Sequence, residues 1–579
     1  MSNDRRSRRE FMNVTGATMA GVVGAPFISG SAKVQAIQAA VSGGSDPDLI
    51  VVNAKVYTVD PRSPRAEAFA ITAGRFSAVG STSDIKGLAG KSTQVYDAKG
   101  MTIVPGFIDC HNHAGGETLL YDVLVGNPFE VEFVSILSIV GKLKAKAQTL
   151  PPGTWVEGYF FDDTKVKDTR GLHKKDLDEV SNDHPVVVRH RGGHTSFYNS
   201  KAFEMAGITK TTPDPMGGTF DKDPNGELNG RVTDRAMDPM RKVGTRPIFS
   251  ATENEKRGRD GIAHISKQFT RYGLTSVHHE GGNLAAIQDV RARGELLHRV
   301  SYEPQQQVID AMIASGIKTG FGDDWIKFGA TAEHTVDGSF SERTMALSVN
   351  YPGVTPPYKG NVTESQDDLN AWVERVHRAG IQVNVHANGD VAIDSFLTAA
   401  ERAQQLFPRA NARPKITHCT LITPQLVQRI KALGAVPAMF TTYAYYNPDK
   451  FVYYGEDLMK RCMAYRDMID AGVYACAGSD FSPGPFAPLM GIQGMVTRKG
   501  WDGKTWGVNQ RISVSEAIAV NTYNGAWASS EEAFKGSITA GKLADYVVLA
   551  GNPHTVDVEK IKDIQIVRTV VGGTISYQA

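Results

Sequence analysis

His111 and His113 stand two residues apart at the end of Pro105-Gly106-Phe107-Ile108-Asp109-Cys110-His111-Asn112-His113. On a strand, residues i and i+2 point to the same side, so the two imidazoles converge on one point and form a donor pair suited to a zinc-like ion. Four further positions belong to other apolar runs. Lys327 lies within Trp325-Ile326-Lys327-Phe328, His386 ends Val383-Asn384-Val385-His386, His418 ends Lys415-Ile416-Thr417-His418, and Asp480 follows Tyr474-Ala475-Cys476-Ala477-Gly478-Ser479. Each alone has an ordinary reading: a satisfied buried histidine, an ion-paired lysine, an N-cap aspartate. Together, in the order His-x-His, Lys, His, His, Asp, they read as a metal-ligating set. The ordinary reading of Lys327 is a salt bridge to an acid such as Asp323 or Asp324. Glu280, in His278-His279-Glu280, could supply a carboxylate in its place.

Such donors need a scaffold that gathers strand ends. Eight short apolar runs alternate with helical segments, at 103–110, 274–278, 299–303, 325–329, 381–386, 415–418, 435–439 and 473–477. Eight is the number that closes a (β/α) barrel, whose chemistry sits at the C-terminal ends of its strands. The expected fold class is therefore α/β, a metal-dependent (β/α)8 TIM barrel. The gap of roughly 160 residues after the first run far exceeds one crossover. It predicts a large insertion after the first strand, at about 115–270. Short β-rich segments at 49–60, 70–79 and 92–96 are matched near the other end by 546–549 and 565–571, with Gly572-Gly573 as a hairpin signal. These predict a small β-sandwich built from both chain ends. The boundaries expected are 1–36 for an export signal, 46–102 and 529–579 for the β-sandwich, and 103–528 for the barrel.

The first forty residues read as an address. Arg5, Arg6, Arg8 and Arg9 precede Phe11-Met12, a weakly apolar Gly/Ala/Ser stretch follows, and small residues suited to cleavage end near Ala36. Paired arginines of this kind resemble a twin-arginine export signal, predicting a periplasmic or secreted enzyme with the twin-arginine translocase as a transient partner. The chain of 579 residues carries 63 Lys+Arg against 62 Asp+Glu, a net charge of +1. Removing residues 1–36 takes away five basic and two acidic residues and turns that charge into −2. No basic excess exists to neutralise phosphates, which argues against nucleic acid as a partner. Four cysteines cannot make a disulfide scaffold. Cys110 and Cys419 adjoin His111 and His418 and should face away from them into packing, so no thiolate ligand is expected.

Substrate contacts are expected from loops above the strand ends and from the insertion. Arg191 and His194 suit a carbonyl or an acid group, with a structural role in the loop as the alternative. Tyr443, Tyr445 and Tyr446 after the seventh run, with Phe481 beside Asp480, suit an apolar or aromatic group on the substrate, although core packing is the ordinary reading of such a cluster.

The ligand set and its surroundings resemble the amidohydrolase superfamily, and within it amidohydrolase family 3, the branch that includes N-substituted formamide deformylases. The resemblance covers nearly the whole chain after the signal. It rests on Val104-Pro105-Gly106-Phe107-Ile108-Asp109, His386-Ala387-Asn388-Gly389-Asp390, Gly478-Ser479-Asp480, Gly536-Ser537-Ile538 and Gly541-Lys542-Leu543-Ala544-Asp545. Arg191-Gly192-Gly193-His194 with Asn199, and Lys327 followed by Asp337-Gly338-Ser339, point to the family-3 branch. The resemblance implies two divalent ions, zinc by default: His111, His113 and Asp480 for one, His386 and His418 for the other. It also implies that CO2 carboxylates Lys327, whose carbamate would bridge both. The implied reaction is metal-assisted hydrolysis of carbon–nitrogen bonds in linear non-peptide amides such as N-substituted formamides or N-acyl amines. Asp480 would accept the proton and deliver it to the leaving nitrogen. The alternatives are a cyclic-amide hydrolase, a deaminase, against which Lys327 argues, an esterase or lactonase, and a regulatory protein retaining the fold. A small-molecule amide is the expected partner, with a homo-oligomer as the expected assembly.

Overall fold

The computed structural model describes residues 46–579, so the expected export signal lies outside the described residues. Eight parallel strands form the centre: β1 (Phe107–Asn112), β2 (Leu274–Glu280), β3 (Arg299–Glu303), β4 (Ile326–Phe328), β5 (Asn384–Ala387), β6 (Lys415–His418), β7 (Val436–Phe440) and β8 (Cys476–Gly478). Each of the eight expected runs overlaps one of them. The first run divides at Gly106, so that Thr102–Pro105 joins a different sheet and β1 begins at Phe107. A Cβ on Gly106 would lie 2.0 Å from the Thr275 hydroxyl, which explains the glycine where the chain passes from one sheet to the other.

Parallel pairing runs β1–β2–β3–β4 in one sheet and β5–β6–β7–β8 in a second. The bridges Ala330↔Gln382 and Asn112↔Phe481 join the two sheets at both edges. Most residues of these strands are buried, as parallel strands covered on both faces must be. Amphipathic helices cover them. In Gln366–Arg378, Leu369, Val373 and Val376 turn inward at helical spacing, and Ser365 caps the start by accepting from the Asp368 N–H.

The stretch between β1 and β2 has a mixed six-stranded sheet of its own, in the order Phe220–Lys222, Leu228–Thr233, Thr195–Tyr198, Val186–His190, Val156–Phe161, Val123–Leu124. Its strands alternate with period two. Val186 and Val188 pack in one apolar cluster with Leu143 and Phe161, while Val187 enters another with Trp155 and Tyr198. The chain ends supply two more sheets. One combines Lys55–Tyr57, Arg65–Ala66 and Thr102–Pro105 with Tyr546–Leu549, Ile566–Val571 and Thr574–Gln578. The other is made of Leu49–Val52, Ala68–Thr72, Arg75–Gly80 and Gln94–Asp97. Val51, Phe69, Phe76, Ile103, Tyr546 and Val570 form one core shared by both. Asp545 fastens this layer to the central strands through a bidentate bond from Arg299 at 2.7 and 2.9 Å. No helix among the described residues is long and apolar enough to cross a membrane.

Candidate metal centre and active site

Six donors meet at the C-terminal ends of the central strands. His111 and His113 come from the end of β1, His386 from β5, His418 from β6 and Asp480 from just beyond β8. The sixth is Glu333, five residues past β4, which sequence reasoning missed. Its Oε2 lies 3.2 Å from His386 Nδ1, 3.3 Å from His418 Nε2 and 3.7 Å from His111 Nε2, while Oε1 lies 3.9 Å from His113 Nε2. Asp480 Oδ1 stands 3.2 Å from His111 Nε2 and 3.1 Å from His113 Nε2. His111, His418 and Asp480 form one potential metal-binding group, Glu333, His386 and His418 a second, and His111, His113 and Glu333 a third.

Lys327 is not among these donors, which corrects the expectation of a carbamate at the cluster. Its Nζ is ion-paired with Glu531 at 2.7 Å. Gln382 and Arg413, just ahead of β5 and β6, bond the carbonyls of Ala528 and Trp527. The segment carrying Glu531 therefore packs at the N-terminal ends of the strands, and Lys327 reaches toward it and away from the histidines. The partner is neither Asp323 nor Asp324. Glu280 stands behind the cluster. It accepts the Glu333 backbone N–H at 2.9 and 3.1 Å and lies 4.0 Å from His111 Nδ1. Beneath it, buried Lys415 donates to Glu303 at 2.5 Å and to the Cys110 carbonyl at 2.6 Å, a pairing the sequence did not disclose.

Local bonds fix each donor. Asp109 accepts from the Ser479 N–H at 2.9 Å and from its hydroxyl at 2.5 Å, tying β1 to the residue before Asp480. Asp337 accepts from the N–H groups of Asn388, Gly389 and Ala346 at 2.8–2.9 Å, pinning the loop that follows His386. A Cβ on Gly389 would sit 1.8 Å from the Ala346 carbonyl, so only glycine permits that approach. His386 Nε2 bonds the Gly338 carbonyl at 3.1 Å, leaving Nδ1 toward Glu333 and His418. His418 and Asp480 both adopt left-handed backbone conformations, with φ of 75° and 53°. Such conformations are uncommon outside glycine, though Asp and His adopt them more readily than most, and they concentrate at functional sites.

The electrostatics suit a cation. Burial, with His386 beside it, pulls His418 down to about 4, so its imidazole is neutral and can donate a lone pair. Burial alone would raise Glu333 and Asp480, yet the surrounding imidazoles hold both carboxyls well below the usual carboxylate range. Burial and the neighbouring Glu333 and Glu303 push Glu280 well above it. His111 is 1% exposed, and neither ring nitrogen makes an aligned hydrogen bond. A buried polar group left without a partner costs ~1–3 kcal/mol, and a bound cation at Nε2 removes that cost. The donor set is nitrogen and oxygen only. All four cysteines are free and buried, with Cys110 in an apolar cluster with Val436 and Cys476.

The expected substrate contacts divide. His194 reaches the cluster: its ring centre is 4.9 Å from that of His386, and Nδ1 bonds Asp234 at 2.8 Å. Arg191 is buried and donates to the carbonyls of Ser482, Asn127 and Pro128 and to the Tyr446 hydroxyl, so it clamps loops together. Tyr443 is buried and stacks on Phe440, which stacks on His418. Phe481 is buried among Phe129, Phe160 and Phe486. Lys562 covers the Tyr445 ring. These aromatics form packing around the donors instead of an apolar substrate pocket, because the segment after β7 folds into a short helix, Tyr443–Tyr446, against the body.

Comparison with known proteins places this geometry. The model of a family described as "Amidohydrolase family" matches residues 94–577. YtcJ of Bacillus subtilis, which carries the name of an amidohydrolase, is 28% identical over 542 residues, covering 90% of this chain and 98% of that one. The N-substituted formamide deformylase of Arthrobacter pascens is 26% identical over 546 residues, covering 92% and 98%. Among solved structures, an uncharacterized metal-dependent hydrolase from Pyrococcus horikoshii OT3 superposes with a TM-score of 0.67 at 21% identity, over 88% of this chain and 99% of that one. That likeness shows a shared fold.

Proposed function

Because the chain belongs to the amidohydrolase family, we propose that this hydrolase cuts carbon–nitrogen bonds in small linear non-peptide amides, N-substituted formamides or N-acyl amines, using divalent ions held by the six-donor cluster. The eight parallel strands are read as a (β/α)8 barrel and the two sheets from the chain ends as a β-sandwich. Their pairing order and shared core support this. His111, His113 and Asp480 would hold one ion and His386 and His418 a second, with Glu333 between them in the place expected of a carbamate. Zinc suits the nitrogen and oxygen donors. A bound divalent ion supplies Lewis acidity that polarises a carbonyl and acidifies water. The chain's own groups do the rest. Asp480 turns Oδ1 to His111 and His113, while Oδ2 lies 4.0 Å from His418 Nδ1 and is the atom to take a proton from attacking water and pass it to the leaving nitrogen. His194, its Nδ1 engaged by Asp234, presents Nε2 to the substrate carbonyl.

The observation that carries this reading is the orphaned, buried His111 ring inside a converging set of imidazoles and ionised carboxylates. The relative named for formamide deformylation supports the substrate class. The test is amine release by zinc-loaded protein from N-benzylformamide, N-benzylacetamide and N-butylformamide, with His111→Ala as the negative control. Fully metal-loaded protein that releases amine from none of them overturns the reading. A deaminase is the second reading, favoured by one observation: with Lys327 outside the cluster, the lysine that argued against it no longer does so. Ammonia release from an amino-substituted heterocycle, without amide turnover, would establish it. Export by the twin-arginine route is likewise proposed from the Arg8-Arg9 pair. Replacing both by lysine should leave the protein in the cytoplasmic fraction.

A further inference from the structure

Beside His194 a cavity of about 360 Å³ is lined by Asp234, Arg235, Asp238, Arg241, Thr335 and Thr363, among others. It adjoins the six donors at two points. The His194 ring lies against His386, and Thr335 pairs in register with His386 across the sheet. Its volume is at the low end for ligand pockets, which fits a small substrate.

The charges in this cavity are not equally available. Asp234, nearly buried, is taken by His194 Nδ1 at 2.8 Å and by the Asn361 amide at 2.9 Å. Asp238 faces Arg241 at 3.5 Å. Both carboxylates of the cavity therefore already have cationic or amide partners. Arg235 does not. Among the described residues it has no acidic partner; one guanidinium nitrogen donates to the Thr363 carbonyl at 3.3 Å, and its other donors remain for a ligand. Its backbone N–H bonds the Gly217 carbonyl at 3.0 Å, and its side chain is exposed at the rim of the cavity. The cavity thus offers a guanidinium with unused donors beside the imidazole that lies against His386.

We propose that Arg235 selects substrates carrying a carboxylate a short distance from the scissile amide, as in N-formyl or N-acyl amino acids. This rests on the amide-hydrolase reading above and narrows it. The insertion, which supplies Arg235 and His194, then sets the specificity of the site. A guanidinium–carboxylate bond is a charge-assisted one, and its loss weakens recognition by ~10-fold or more.

The test compares N-formylglycine and N-formyl-β-alanine with the neutral N-propylformamide, by amine release and by calorimetric binding. Wild-type protein should favour the anionic formamides by at least ~10-fold in kcat/KM, mainly through KM, and added salt should narrow the margin. Arg235→Gln should bring the ratio near one, and Arg235→Lys should restore part of it. An equal wild-type preference, or a ratio unmoved in Arg235→Gln, overturns the proposal while the amide-hydrolase reading stands. If no formamide is turned over, that reading falls. Calorimetry then decides the role of Arg235, which is upheld only if N-formylglycine binds and Arg235→Gln weakens it.

Discussion

Glu333 and Lys327 stand for two different ways of holding metal, and one pair of substitutions separates them. Glu333→Gln keeps the shape of the side chain and removes its charge from within 3.2–3.9 Å of four imidazole nitrogens. Loss of even a group behind a ligand lowers metal affinity by ~10–100-fold, so loss of a carboxylate touching both histidine pairs should cost at least that. Lys327→Met breaks the pair with Glu531, whose carboxylate still keeps Lys535 at 2.7 Å. Stranding a buried charge costs ~3–5 kcal/mol; with a second partner retained, ~1–2 kcal/mol is the expected loss. For a chain of this size that is a fall in Tm of about 1–2 °C. The assay is metal per chain by mass spectrometry after dialysis against a graded chelator, with thermal unfolding alongside. Glu333→Gln should surrender metal at much lower chelator while Lys327→Met matches the wild type. Metal lost from Lys327→Met and kept by Glu333→Gln would refute the placement of Glu333 and restore the carbamate.

Three further perturbations test the surroundings. Arg191→Met removes the donor to three carbonyls and a phenol and should cost ~2–4 kcal/mol, seen as a lower Tm, whereas an unchanged Tm would mean that the clamp holds nothing. Gly389→Ala forces a Cβ to 1.8 Å from a backbone carbonyl and should destabilise by ~1–3 kcal/mol, loosening the His386 loop and with it the bound metal. Burial, helped by the nearby Arg65 charge, lowers His554 to about 4, so the folded state disfavours its protonation. The stability it contributes is present above the ordinary histidine range and is lost as pH falls from about 6.5 toward 4, because the unfolded chain binds the proton first. His554→Phe, which keeps the stack on Tyr57, should flatten the fall in Tm over that window, and identical slopes would dismiss the assignment.

The strands and five of the six donors were legible because strand ends carry a local signal: an apolar run closed by a histidine or an aspartate. Glu333 carries no such signal. It lies in Ala330-Thr331-Ala332-Glu333-His334, where the chain has left β4, and it reaches the histidines only because that segment runs on beside β5, Ala330 bridging Gln382 and His334 pairing with Val385. Its one clue was being an acid just past the end of the fourth strand, where a ligand was due. Lys327 misled for the converse reason. A lysine in an apolar run looks like a functional exception, but its direction along the strand depends on Glu531, about two hundred residues away in sequence. The tyrosines after β7 misled likewise, since a cluster of aromatics reads the same whether it faces a ligand or the Phe440 ring.

The motifs that carry the family resemblance are mostly ties between donors, and few are donors themselves. Asp109, Asp337 and Asp545 touch no ion in the proposed site, yet they join β1 to the Asp480 turn, the loop after β4 to the one after β5, and the outer sheets to β3. This distribution follows from the backbone at the donors. His418 and Asp480 sit at positive φ, a conformation that costs ~1–3 kcal/mol for each such residue and persists only where neighbours over-determine it. A turn held by two bonds from Ser479 to Asp109, or a loop held by three amides on Asp337, supplies that over-determination. Ligand geometry is therefore maintained at the ties, and a conservative change such as Asp109→Asn should disturb Asp480 almost as much as a change at Asp480 itself, because one Asp109 oxygen accepts two backbone N–H groups and the other a hydroxyl and an amide.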